Sequence, residues 1–254
     1  MLVAITRKVS PSIGRCELTH LERQAIDVNI ACAQHQAYEH ALAKLGCQVY
    51  SLPAEPELPD SVFVEDTAIV LDEVAIITRP GTASRIPEIE TITRVLTSYR
   101  KLLFIQPPGT LDGGDVLCLG KTLYIGLSSR SNLDAVEQVR SLLEPYGYMI
   151  VGVNVAGVLH LKSAVTQVAK EILLINPAWV SKSDFIDYEF IEIDPSEPYA
   201  SNALLISDTV IYPTSFTRTR KRLERSGIEL TCLDVSELAK AEGAVTCCSL
   251  IFKA

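Results

Sequence analysis

The feature that most constrains this chain is an internal repeat. "FVEDTAIVLDEVAIITRPGTASRIPEIETITRVL" reads as strand, turn, strand, polar loop and helix, and "LDGGDVLCLGKTLYIGLSSRSNLDAVEQVRSLL" repeats that order. "LHLKSAVTQVAKEILLINPAWVSKSDF" and "YASNALLISDTVIYPTSFTRTRKRLER" follow it more loosely. The strand-like runs are short, rich in β-branched residues and bounded by Gly, Asp or Pro. A fifth copy starts at "AVTCCSLIFKA" and runs out of chain after one strand. Its missing parts are available at the other end of the sequence. "LVAITR" supplies a second strand. "THLERQAIDVNIACAQHQAYEHALAKLG" supplies a helix, its apolar residues from Leu21 to Leu42 at three-to-four spacing and Gly46 as terminator.

The period is about 45 residues, within the range of repeat architectures. A hairpin-plus-helix unit cannot bury its own faces, so the copies must pack on one another. Completing the last unit with the first strand predicts a closed α/β propeller of five pseudosymmetric units. It forms a single domain over residues 1–254, with the N- and C-terminal strands paired. A doubly wound α/β sheet is the competing arrangement, and it leaves the termini unpaired with each other. With 254 residues, 48% of them hydrophobic, the chain can bury a substantial core.

The residues entering the first strand of each copy are Glu65 with Asp66, Asp112 with Asp115, His160, Asn202 and Cys247. Equivalent positions in a ring converge near its axis, so the repeat would bring carboxylates, one imidazole and one thiol together. Taken singly, each has a plainer explanation: His160 as a satisfied core histidine, the glycines of "LDGGDV" as a turn, Cys247 as packing. Independent packing roles would not predict the shared register. Arg85 and Arg130 follow the second strands of the first two units at similar offsets, and guanidinium groups suit bidentate recognition of a carboxylate.

Lys and Arg total 23 against 31 Asp and Glu, a formal net charge of −8. This balance disfavours nucleic acid or an anionic membrane as partner and suits a cationic small molecule. The seven cysteines are scattered, with no paired metal-ribbon spacing. No apolar run reaches membrane-spanning length and the opening "MLVAITRKVSPS" lacks a leader pattern, so a cytoplasmic, reducing location is expected. A metal site using Cys247, Cys248, His160 and Asp112 is disfavoured, because neighbouring strand residues point to opposite faces.

Together "PDSVFVED", "ITRPG", "LDGGDV", "YIG", "LHLKS", "YASN" and "TCCS" resemble the dimethylarginine dimethylaminohydrolases of the guanidino-group-modifying superfamily, which includes amidinotransferases and arginine deiminases. The resemblance runs from "ELTHLER" to the last strand. It implies the same five-unit propeller and hydrolysis of Nω-methylated arginines to citrulline and methylamines, without metal or organic cofactor. It also implies that Cys247 is the nucleophile and His160 the general acid and base. Asp66 and Asp112 would bind the guanidinium with Glu65 beside them. The backbone carbonyl of Leu18 and Asp60 would hold the α-amino end, Arg85 and Arg130 the α-carboxylate, and Ala241 would offer a backbone contact. Members often carry glutamate where this chain has Asp112, which keeps the charge at shorter reach.

Two other activities fit parts of this pattern: an arginine deiminase acting on unmethylated arginine, and a non-catalytic binding protein on the same ring. The oligomeric state is open, a homodimer included.

Overall fold

The computed structural model describes residues 1–254 as five small sheets of three strands. The chain enters with β1 (Leu2–Arg7), the helix α1 (Val28–Lys44) and β2 (Cys47–Leu52). Next come β3 (Ala68–Val70), β4 (Val74–Ile77), α2 (Ile89–Leu96) and β5 (Lys101–Phe104). The third unit has β6 (Val116–Leu119), β7 (Thr122–Leu127), α3 (Leu133–Leu143) and β8 (Met149–Asn154). A four-residue helix α4 (Leu161–Ala164) then leads into β9 (Val165–Ala169), β10 (Ile172–Ile175) and β11 (Glu189–Glu192). The last full unit is β12 (Leu204–Ile206), β13 (Thr209–Pro213), α5 (Thr217–Arg225) and β14 (Glu229–Leu233). A short α6 (Ser236–Ala239) and β15 (Leu250–Lys253) finish the chain.

Each sheet obeys one rule. The first two strands pair antiparallel and the third joins the second in parallel, as β3–β4–β5 and β6–β7–β8 do. A parallel pair needs a crossover, and a helix supplies it in four units. Between β10 and β11 only a single turn at Lys182–Asp184 forms, in a stretch interrupted by Pro177. The fifth sheet is built from both chain ends: β15 pairs antiparallel with β1, Ala4 opposite Ile251, and β1 pairs in parallel with β2.

The third strands were not anticipated from sequence. They lie at sheet edges and are half exposed, EFIE of β11 and KLLF of β5 among them, and each is only four to six residues long. The helix expected from residue 19 begins at Val28. Asp27 caps it, accepting hydrogen bonds from the amides of Asn29 and Ile30. Residues 16–27 instead form an irregular strap. Gly46 does end the helix, at a φ of 92° that favours glycine.

The apolar core falls into clusters that each bridge two sheets. Val3 and Ile5 of β1 pack with Val64, Ala75 and Ile77 of the second unit, and Ile69 and Ile76 pack with Leu123 and Val139 of the third. Tyr124 and Val153 meet Val165 and Leu173, Val168 and Leu174 meet Val210 and Tyr212, and Ile206 and Ile211 meet Ala4 and Tyr38. No helix is long and apolar enough to cross a membrane.

Candidate active site

A one-turn segment precedes the first strand of most units, and the polar residues singled out by the repeat sit on these turns. Glu65 and Asp66 lie on the turn Val64–Thr67 before β3, Asp112 caps the turn Gly113–Asp115 before β6, and His160 caps α4 before β9. Asn202 and Cys247 precede β12 and β15 by two and three positions. Short turns of this kind aim side chains off the strand ends while the paired strands fix their roots.

Two glycines let these turns meet. A Cβ on Gly113 would stand 2.0 Å from the carbonyl oxygen of Glu65. One on Gly114 would stand 2.6 Å from His160 Nδ1 and 2.8 Å from Asp66 Oδ1. The "LDGGDV" glycines therefore do more than turn the chain, because only a hydrogen fits between the turns.

His160 is buried between two carboxylates. Its Nε2 lies 3.0 Å from Asp112 Oδ2 and 3.9 Å from Asp66 Oδ1. Burial opposes the imidazolium, but Asp66, the bond to Asp112 and the nearby Asp115 outweigh it and raise the pKa to about 9. Asp112 Oδ1 accepts from the amide of Gly81 at 2.8 Å, and Asp66 Oδ1 from that of Gly114 at 2.8 Å. Asp115 accepts from Ser128 and Ser131 hydroxyls and from the Leu161 amide, tying the third and fourth units together, and burial pushes its pKa up to about 6.

Asp66 is also held by Arg85, whose Nη1 donates to Asp66 Oδ2 at 2.6 Å. The remaining donors of Arg85 go to Glu88, with Nη2 at 2.8 Å from Oε2, and to the carbonyls of Asp60 and Phe63. Burial would raise the pKa of Asp66, but the charges of His160 and Arg85 overcome it and hold the carboxyl well below its usual range. Burial raises Glu88 to about 7, a buried acid that Arg85 only partly compensates. Glu88 was not singled out from sequence, although it stands three residues from Arg85.

The two cysteines separate, but from a turn and not, as expected, by strand alternation, since β15 begins only at Leu250. Cys248 is buried in the core with Ala31 and Tyr38, its thiol toward the carbonyl of Ala244 at 3.7 Å. Cys247 is partly exposed and lines a small cavity together with Asp60, Phe63, Asp66, Arg85, Arg130, Leu159, His160 and Ala241. Burial, then the charges of Glu65 and Asp66, push the Cys247 thiol far above its ordinary pKa. Glu17, Glu242 and Gly243 complete the walls, and about 20 Å³ of free space remains, roughly one water.

The side chains of three anticipated residues do not line this cavity, although Leu18 was expected to act through its backbone carbonyl. Asp112 is fully buried behind His160 and meets the cavity residues through it and through Arg130, whose Nη1 is 4.0 Å from Oδ2. Leu18 packs its side chain against the apolar cluster around α1, while its neighbours Glu17 and Thr19 contact the site. Glu65 faces away from His160: it takes Lys162 Nζ at 2.5 Å and the Thr246 hydroxyl at 2.9 Å, beside a separate chamber of about 300 Å³. Asn202 joins that side, bonding Thr246 and the carbonyl of Lys162. Lys162 itself, two residues after His160, was missed from sequence. One donor atom each of Asp66, Asp112 and His160 lies within 4.8 Å of the others, so a divalent cation could be held there.

A family model described as "N,N dimethylarginine dimethylhydrolase, eukaryotic" matches residues 17–191. The N(G),N(G)-dimethylarginine dimethylaminohydrolase of Pseudomonas aeruginosa is 38% identical over 224 residues, 87% of this chain and 88% of that one. The chain belongs to the dimethylarginine dimethylaminohydrolase family. The Streptomyces coelicolor dimethylarginine dimethylaminohydrolase is 37% identical across 97% of this chain and 95% of its own. A solved structure of the dimethylarginine dimethylaminohydrolase from P. aeruginosa, a cysteine-to-serine mutant complexed with citrulline, superposes with a TM-score of 0.93 at 35% identity, covering 98% of each chain.

Proposed function

We propose that this protein hydrolyses Nω,Nω-dimethylarginine and Nω-methylarginine to citrulline and the corresponding methylamine, through a covalent adduct on Cys247. The observation that carries the reading is the shared cavity, where a thiol, an imidazole, the Asp66 carboxylate and two arginines face one small space. A carboxylate pair suits a guanidinium and the arginines suit an α-carboxylate. Family membership and the citrulline complex of the Pseudomonas relative support the same substrate class.

Asp66 holds the guanidinium beside Cys247, and Asp112 acts from behind His160. As the guanidinium binds, the Cys247 thiol gives up its proton to solvent, and the thiolate attacks the central guanidinium carbon, forming a C–S bond and making that carbon tetrahedral. His160, a cation at neutral pH, passes its proton to the methylated nitrogen, and the C–N bond breaks as methylamine leaves. A thiouronium remains on Cys247, with His160 now neutral. His160 then takes a proton from water, and the oxygen adds to the same carbon. The C–S bond breaks as the added hydroxyl releases its remaining proton to solvent, the thiolate returns and citrulline departs. Arg130 and the charge of Arg85 face the α-carboxylate, Asp60 and the Leu18 carbonyl face the α-amino end, and Ala241 offers a further backbone contact.

The same reading makes residues 1–254 one catalytic domain. The five apolar clusters link each sheet to the next and the last to the first, and the β1–β15 pairing joins the termini, which supports closure of the five units into a propeller around a common axis. Seven free cysteines support a reducing, cytoplasmic setting.

The test is citrulline release from arginine, monomethylarginine and asymmetric dimethylarginine, with Cys247→Ser as control. The expected outcome is turnover of both methylated substrates in preference to arginine and none by Cys247→Ser. Preference for unmethylated arginine would move the assignment to a deiminase, and undiminished turnover by Cys247→Ser would remove the covalent route.

A further inference from the structure

The cavity around Cys247 is closed on one side by the strap of residues 16–27, which has no regular structure of its own. One side chain of the body takes three of its backbone amides. The carboxylate of Glu242 accepts hydrogen bonds from three successive strap amides: Thr19 at 3.0 Å, His20 at 2.5 Å and Leu21 at 2.7 Å. Successive N–H groups converging on one carboxylate form a strong anion contact, since each bond is charge-assisted. Glu242 makes it from a left-handed backbone conformation, φ 57°, that a glutamate rarely adopts.

The strap in turn touches Arg130. Arg130 Nη2 donates to the Thr19 hydroxyl at 2.9 Å, and Nη1 donates to the Thr82 hydroxyl. The guanidinium is thus oriented from two sides, one of them the segment that Glu242 pins. With only about 20 Å³ free, a molecule the size of arginine cannot enter this cavity unless the walls move, and the strap, which contributes Glu17, is one of the walls without regular structure, as are the segments carrying Leu159 and Glu242. The strap is tied at its other points as well: the Glu17 amide donates to Asp60 and the Asp27 amide to Glu237. Lys240 Nζ donates to the Ala25 carbonyl and Arg130 to the Thr19 hydroxyl, while Glu242 is the group that takes the amides of residues 19–21.

We propose that Glu242 is a positioning residue for substrate binding: by clamping the amides of residues 19–21 it sets Thr19 against Arg130 and so shapes the grip on the α-carboxylate. The proposal rests on the arginine-derivative substrate argued above. It assigns no chemical step to Glu242, which stands among the cavity walls and away from the bond-breaking groups.

The experiment compares wild type with Glu242→Gln and Glu242→Gly. The glutamine keeps size without charge, and the glycine removes the carboxylate while relieving the backbone. Both variants should raise KM for Nω-methylarginine about tenfold with kcat within twofold. Toward Nω-methylagmatine, which lacks the α-carboxylate, kcat/KM should match wild type. Amide exchange at Thr19, His20 and Leu21 should quicken at least tenfold in both, a readout independent of turnover. An equal fall in kcat/KM on both substrates, or unchanged exchange with unchanged KM, overturns the role of Glu242 while wild-type activity stands. A wild-type protein that turns over neither substrate overturns the proposed function and this role with it.

Discussion

His160 Nε2 lies 3.0 Å from Asp112 Oδ2, and neither residue is more than 4% exposed. With Asp66 a further step away, the imidazole is held between two carboxylates in a region water barely reaches, and its pKa rises to about 9. Near neutral pH it is therefore a charged acid, the form needed to protonate a leaving amine.

Replacing Asp112 with Asn keeps the shape and removes one of those charges. The pKa of His160 should fall toward its ordinary value of 6.5, followed by NMR titration of the imidazole protons. A kcat loss of about a hundredfold is expected from an acid that is no longer charged and aligned. Stability should follow the same linkage. Because the folded pKa is above the unfolded one, the contribution of the charged pair is complete below about pH 6.5 and is lost as pH rises through about 9. The shift from 6.5 to about 9 corresponds to roughly 3 kcal/mol. Denaturant unfolding at pH 6 and pH 9.5 should show wild type losing an increment of this order relative to His160→Gln. A pH-independent difference between the two would contradict the assignment.

The state of Cys247 is the opposite case. Burial and the charges of Glu65 and Asp66 keep the thiol protonated, so in the proposed mechanism Cys247 rests as a poor nucleophile beside a charged acid. A guanidinium entering beside Asp66 neutralises the field that opposes ionisation, and the thiolate forms when there is something to attack. Alkylation of Cys247 by a small neutral reagent at pH 7 should be slow in the free protein. A non-reactive guanidinium ligand that leaves the thiol accessible should quicken it by an order of magnitude or more, with the pH profile displaced downward. A thiol already ionised well below neutral pH, indifferent to the ligand, would falsify substrate-assisted deprotonation.

How much of this was legible in the sequence follows from what each feature depends on. The repeat register located Asp66, Asp112, His160 and Cys247 because it is a property of spacing, and each of them does stand at the entrance to a first strand. The direction each side chain takes is not in the spacing. Glu65 and Asp66 are neighbours on one turn, yet Glu65 turns to Lys162 and Thr246 while Asp66 turns to Arg85 and His160. The third strands are short, half exposed and set by pairing with a strand a helix away, and the residues around Leu21 kept helical spacing although Glu242, 221 positions away, claims their amides. Long-range partners such as this one, and the pair Tyr38 with Ser249, belong to the tertiary fold alone.

The glycines of "LDGGDV" allow position and chemistry to be separated. A methyl group on Gly113 would press on the Glu65 backbone at 2.0 Å, where neither turn can yield without disturbing both strands behind it. A methyl on Gly114 meets the ends of side chains, His160 Nδ1 at 2.6 Å and Asp66 Oδ1 at 2.8 Å, which can swing aside. Gly113→Ala should therefore act on folding, lowering stability by about 3 kcal/mol or preventing soluble expression. Gly114→Ala should fold with a smaller loss, of order 1–2 kcal/mol, and forfeit activity because His160 and Asp66 are displaced from each other. A misplacement near 1 Å costs on the order of a hundredfold in rate. Thermal denaturation and citrulline release on the two variants test the distinction. Equal loss of stability in both, or a Gly114→Ala protein with full activity, would show that the turns do not meet through these two hydrogens.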